Sequence, residues 1–69
     1  MSKFLTIADV AEILNVSAGQ IRTLIHKGEL PAIQVGGRGQ WRIEEASLDQ
    51  YVAERYQHTR DLIADSERH

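Results

Sequence analysis

The residues able to do chemistry cluster in the middle of this 69-residue chain: Ser17, Ala18, Gln20, Arg22, Thr23, His26 and Lys27, then Arg38, Gln40 and Arg42. Small side chains permit a close approach, Arg22, Gln20 and Thr23 offer the donors and acceptors that read base edges, and Lys27, Arg38 and Arg42 suit phosphate oxygens. Arg22 can grip guanine through two hydrogen bonds, and Gln20 can pair with adenine unless a helix cap holds it. Ser17 and the free N–H groups of a helix start suit a phosphate. The competing reading is an ordinary solvated helix face. A basic tip at Arg38, between glycines, weighs towards a nucleic-acid ligand.

Other chemistries fail on spacing. His26, His58 and His69 have no metal-ligand spacing between them. Glu44 and Glu45 are sequence neighbours, which do not face each other across a cleft, and they suit a helix start instead. Gly36-Gly37-Arg38-Gly39 lacks the Gly-Lys-Ser/Thr ending of a phosphate-cradling loop and opens a strand. There is no cysteine and no nucleophile–base set, so neither enzyme activity nor a metal or cofactor is expected. Trp41 reads as packing on the apolar side of a strand with Ile33 and Val35.

The net charge of −2 hides a strong asymmetry. Lys3, Asp9 and Glu12 leave residues 1–16 slightly acidic. Arg22, Lys27, Arg38 and Arg42 against Glu29 alone make residues 17–43 basic. Arg55, Arg60 and Arg68 are outnumbered beyond residue 43 by Glu44, Glu45, Asp49, Glu54, Asp61, Asp65 and Glu67. Local distribution sets the field that a ligand meets. Four cations on phosphates would give a salt slope of about −3.6, modest for a duplex binder. Several copies side by side on repeated half-sites would compensate, with the acidic C-terminal segment meeting the basic face of a neighbour.

The elements that must hold these residues are legible. Thr6 and Asp9 form a capping-box pair, and Leu5 and Val10 are spaced for a hydrophobic staple. Val10, Ala11 and Leu14 follow as one helical face, with Ile7 and Ile13 at its margins. Ser17 and Gln20 repeat the box, Val16 and Ile21 repeat the staple, and Ile21, Leu24 and Ile25 form a second stripe ending at Gly28. Only Asn15-Val16 separates the two, and Asn enters the left-handed region at modest cost. Two capped helices on so short a turn make a helix-turn-helix.

After Pro31 the period changes to two, which predicts a hairpin. It buries Ile33, Val35, Trp41 and Ile43 and shows Gln34, Gln40 and Arg42. A last helix, starting between Glu44 and Ser47, runs firmly to about Tyr56 through Leu48, Tyr51 and Val52, with Thr59, Leu62 and Ile63 spaced to extend it at lower order and a frayed tail from Asp65. The fold class is α+β, mainly helical: a winged helix-turn-helix in the order helix, helix, β-hairpin, helix. Residues 1–56 form the domain and 57–69 a C-terminal helix extension with a frayed tail. Hydrophobic residues at 42% and charged residues at 26% suit one small globular unit. No apolar run approaches the roughly 20 residues of a membrane span, and the N-terminus does not read as a signal peptide. A soluble cytoplasmic protein is expected.

Residues 5–17 (Leu5-Thr6-Ile7-Ala8-Asp9-Val10-Ala11-Glu12-Ile13-Leu14-Asn15-Val16-Ser17), with Ile21 and Leu24, resemble the helix-turn-helix of small excisionase-type proteins, related to the MerR DNA-binding domain. Gly28-Glu29-Leu30-Pro31-Ala32 and residues 35–43 resemble that family's wing, and Leu48 to Val52 its third helix. The likeness covers residues 4 to about 56. It implies double-stranded DNA binding, with residues 17–27 in the major groove and the wing, 36–42, on the adjacent backbone or minor groove. It also implies a bacterial or phage setting, as a recombination directionality factor contacting an integrase or as a small transcriptional regulator. The full MerR plan, with its long dimerisation helix and effector domain, does not fit. Gly19 departs from a good helix, costing about 1 kcal/mol relative to Ala, and the overall acidity is unusual for a protein acting alone on DNA. The rival reading is a protein–protein module presenting the acidic last helix.

Overall fold

A computed structural model describes residues 3–67. The chain runs β1 (Phe4–Leu5), α1 (Ile7–Leu14), α2 (Ala18–His26), β2 (Ile33–Val35), β3 (Gln40–Glu44) and α3 (Glu45–Glu67). This is a winged helix-turn-helix. Expectations placed on Met1, Ser2, Arg68 and His69 lie outside the described residues.

Both helix starts are closed as their sequences require. In α1 the Thr6 hydroxyl accepts from the Asp9 N–H at 3.0 Å, and the Asp9 carboxylate accepts from the Thr6 N–H at 3.1 Å. Ser17 and Gln20 repeat this reciprocal arrangement at 3.1 Å in each direction. The C-terminal ends are equally regular. Asn15 is left-handed at φ 57°, and the Val16 N–H reaches back to the Ala11 carbonyl at 2.9 Å. Gly28 does the same for α2 at φ 77°, with the Glu29 N–H on the Leu24 carbonyl at 3.0 Å. These six-to-one bonds satisfy carbonyls that the helix leaves without partners. They fix the short turn that sets α2 against α1.

The core is Leu5, Val10, Ala11, Ile21, Leu30, Ile43 and Leu48, with Ile7, Leu14, Leu24, Ile25, Tyr51 and Val52 packed around it. Leu30, after the Gly28 cap, belongs to no periodic run, yet it is fully buried. No polar or charged side chain is buried among the described residues. Leu5 and Val10 both enter the core as their staple spacing predicts. Val16 and Ile13 remain exposed instead, because each falls on the outward edge of its segment.

Three expectations need correction. First, Phe4–Leu5 is a strand: Leu5 pairs with Ile43 and Phe4 with Glu44, completing an antiparallel sheet of order β1-β3-β2. Two residues carry no alternation to read, so its signal lies in the burial of Leu5 on Ile43.

Second, Ile33 and Val35 do not share a face with Trp41 and Ile43. The four-residue turn pairs Val35 with Gln40, Gln34 with Trp41 and Ile33 with Arg42. Directly opposed residues share a face of the sheet, and Ile43 must join Leu5 in the core. Gln34 therefore lies on Trp41's side. Ile33, 52% exposed, and Val35, 43% exposed, turn outward with Phe4, Gln40, Arg42 and Glu44.

Third, α3 continues unbroken to Glu67, so Asp65–Glu67 are helical rather than frayed. No Gly or Pro interrupts it, and the Gln50 and Gln57 amides donate to Glu54 and Asp61 one turn ahead, at 3.2 and 3.1 Å. Its packing against the body involves Leu48, Tyr51 and Val52, near its start. The remainder projects, which gives the molecule extents of 51 × 26 × 20 Å. None of the described helices is long and apolar enough to cross a membrane.

Candidate nucleic-acid interface

Burial of Ile21, with Leu24 and Ile25 half-buried beside it, decides which way α2 faces. At about 100° per residue, Gly19, Thr23 and His26 form the ridge farthest from the core, with Arg22 on one flank and Gln20 and Lys27 on the other. All six are exposed, whereas Ala18 is half-buried at the helix start. The sequence-derived set on this helix therefore presents one surface, apart from Ala18 at its margin.

Internal bonds narrow what two of these side chains can do. Gln20 Oε1 accepts from the Ser17 N–H, so the amide oxygen needed for a two-point grip on adenine is engaged, while Nε2 stays available to donate. The Thr23 hydroxyl donates to the Gly19 carbonyl at 3.0 Å, which leaves its lone pairs and methyl for a ligand. Gly19 itself meets only Ser17 Oγ, 3.8 Å from where a Cβ would stand. Nothing inside the fold requires a glycine there.

The two edges of α2 differ. On the wing side, the His26 ring stands edge-on to Trp41, with centroids 5.9 Å apart and planes at 83°. On the other side, Gly19, Thr23 and Leu24 line a shallow groove of about 650 Å³ with Leu14, Val16 and Tyr51. In the wing, Gly36 and Gly39 take φ of 72° and 68°, and Arg38 between them is exposed. The Gln34 amide covers Gly39, its Nε2 3.3 Å from where a Cβ would stand.

Gln40 and Arg42 point to the opposite face of the hairpin from Trp41, so they do not join Arg22 and His26 on one continuous strip. The Arg42 guanidinium Nη1 donates to the Trp41 carbonyl at 2.8 Å, and the side chain is half-buried in a groove with Phe4, Ile33 and Glu44. The structure thus exposes Gln20, Arg22, Thr23 and His26 on α2, with Ser17 and Lys27 at its two caps, and Arg38 at the wing tip. It sets Gln40 and Arg42 on the wing's far side. The Trp41–His26 contact escaped the sequence reading, although the hairpin pairing implied by the turn length carries it.

One carboxyl is shifted. The Thr6 backbone N–H, then the Thr6 hydroxyl, hold Asp9 below the ordinary carboxylate range, against slight desolvation and with small help from Lys3 and Arg42. Among the described residues no three His, Asp or Glu side chains gather as a metal site would require.

Two short capped helices, a tight left-handed turn between them and a glycine-tipped hairpin define a winged helix-turn-helix protein. The helix-turn-helix domain family matches residues 4–56, and the chain belongs to it. Two relatives from two strains of Mycobacterium tuberculosis, each named "Putative DNA-binding protein", are 46% identical to it over 35 residues. That match covers 51% of this chain and 45% of each relative. No solved structure matches the chain.

Proposed function

We propose that this protein binds double-stranded DNA in a sequence-specific way, with α2 in the major groove and the wing on the flanking backbone or minor groove. The carrying observation is the exposed ridge of Thr23 and His26, flanked by Arg22 and turned away from the core beside a wing that exposes Arg38. Family membership and the names of the two mycobacterial relatives support the same reading. Arg22 takes a guanine edge, Gln20 donates from Nε2, Thr23 meets a thymine methyl or a donor, and Ser17, Ala18 and Lys27 lie along phosphates. His26 stands at the wing side of the groove. Arg38 enters beside the backbone, and Gln40 and Arg42 grip phosphates from the wing's outer face.

Within that activity the role is that of an excisionase-like recombination directionality factor or a small cytoplasmic transcription regulator of bacterial or phage type, working without cofactor or catalysis. Residues 1–56 are the binding unit and 57–69 its extension. Few cations make a single copy a weak binder, so copies load cooperatively, and an integrase is a fitting partner for the acidic α3.

Selection of bound sequences from a random duplex pool, followed by gel shift on the winner, tests the reading. Arg22→Ala with Arg38→Ala should abolish the shift while circular dichroism stays unchanged. Undiminished binding by that double variant overturns the proposal and favours a protein–protein module.

A further inference from the structure

Gly19, Gln20 and Thr23 are surface neighbours on α2, at the spacings of three and four residues that set side chains together on a helix. All three line the groove they share with Leu14, Val16 and Leu24, on the side away from His26 and Trp41. Gly19 is the odd member. A glycine inside a helix weakens it, and a Cβ here would meet only Ser17 Oγ, at 3.8 Å. What the missing group creates is a notch about one methyl wide in the outward ridge.

Thr23 forms the other wall of that notch, one turn on. Its hydroxyl donates to the Gly19 carbonyl at 3.0 Å, which commits the single hydrogen it can give. With the stiff χ1 of a β-branched side chain, that bond holds the methyl group in one position. Gln20 supplies the polar partner. Only an oxygen can meet the Ser17 N–H, at 3.1 Å, so the cap fixes which end of the amide is Oε1 and leaves Nε2 to donate.

We infer that these three residues read one thymine: Gln20 Nε2 donates to its O4, and its C5 methyl enters the notch between Gly19 and Thr23. Of the four bases, thymine alone shows an acceptor beside a methyl group in the major groove. Cytosine would set its N4 donor against the Gln20 donor. Adenine and guanine can accept from Nε2, but both leave the notch empty. Arg22, on the opposite flank, takes a separate base. Such recognition rests on the proposed entry of α2 into the major groove and narrows it to one base.

The probe is the duplex selected from a random pool, with each thymine in turn replaced by deoxyuridine, which differs by the methyl alone. At one position the natural protein should bind the uracil duplex about fourfold more weakly. Thr23→Ser keeps the hydroxyl, loses the methyl and should shrink that difference, whereas Thr23→Val should retain it. Gly19→Ala should reverse its sign, because the added methyl fills the notch and uracil then fits better than thymine. Gln20→Glu can close the same capping box but turns the donor into an acceptor. It should select cytosine at that position, and bind more tightly when the cytosine carries a 5-methyl group. A duplex bound tightly yet indifferent to every uracil replacement overturns the inference and leaves DNA binding standing. So does a methyl effect that no change at Gly19 or Thr23 alters. Failure to select any duplex overturns the underlying reading as well.

Discussion

The His26 ring meets Trp41 edge-on at 5.9 Å and so ties the last turn of α2 to the strand that carries the wing. Aromatic pairs of this geometry contribute about 0.5–1.5 kcal/mol beyond their burial. His26→Ala should therefore lower stability by about 1 kcal/mol and loosen the angle between helix and wing, weakening DNA binding more than the fold. Denaturant titration beside gel shift measures both. Equal binding by the variant removes the coupling role.

Gly19 sits on the outward ridge with room for a methyl group and no left-handed backbone to demand its absence. Gly19→Ala should raise stability by roughly 1 kcal/mol through helix propensity. If the duplex approaches here as proposed, the same change reduces affinity. A thermal melt and a binding isotherm on one preparation should move in opposite senses. A variant that melts higher and binds as before shows that the duplex keeps its distance from this point.

The glycines after the helix and in the wing should respond unequally. Gly28 lies at φ 77° in open space, so Gly28→Ala incurs backbone strain alone, about 1–2 kcal/mol. Gly37 has no such conformation and no neighbour within 4 Å, so Gly37→Ala should be near neutral. Chemical denaturation of the two variants checks the contrast.

Acid acts on the fold through Asp9. Its folded carboxyl is held below its ordinary value of 3.8, so it contributes stability that is fully present above that value. The contribution fades as pH falls through the lower folded pKa. Asp9→Asn removes the charge that the cap prefers, and its stability should fall less than that of the natural protein between pH 5 and strong acid, measured by urea melts. Parallel curves would remove Asp9 from the acid response.

Binding should decline with salt at a slope set by phosphate contacts. The three cations placed on phosphates, Lys27, Arg38 and Arg42, predict about −2.7, and Arg38→Ala should make the slope shallower by about 0.9. Arg42→Ala reports whether the outer face of the wing takes part, since an unchanged slope places Arg42 off the backbone.

Much of this arrangement was legible from residue order. Capping boxes at Thr6/Asp9 and Ser17/Gln20, and left-handed residues at Asn15 and Gly28, are local devices whose chemistry stays within a few positions. The stripe of Ile21, Leu24 and Ile25 likewise settled which side of α2 faces outward. What escaped depends on distant partners. Phe4–Leu5 becomes a strand only because Ile43 lies beside it. Ile33 and Val35 look like core by alternation, yet the turn length sends them outward, and the same pairing brings Gln34 beneath Gly39. Thr59, Leu62 and Ile63 keep the helical period beyond Tyr56, but the firmness of α3 as far as Glu67 was not legible, because the apolar spacing ends at Ile63.

That the described residues bury hydrocarbon side chains alone has a practical consequence. Brine screens exposed charges, and pairings between such charges contribute little to a fold, so it has little hold on this scaffold. The chain should therefore release a duplex in concentrated electrolyte and reload after dialysis, round after round, without passing through an unfolded form.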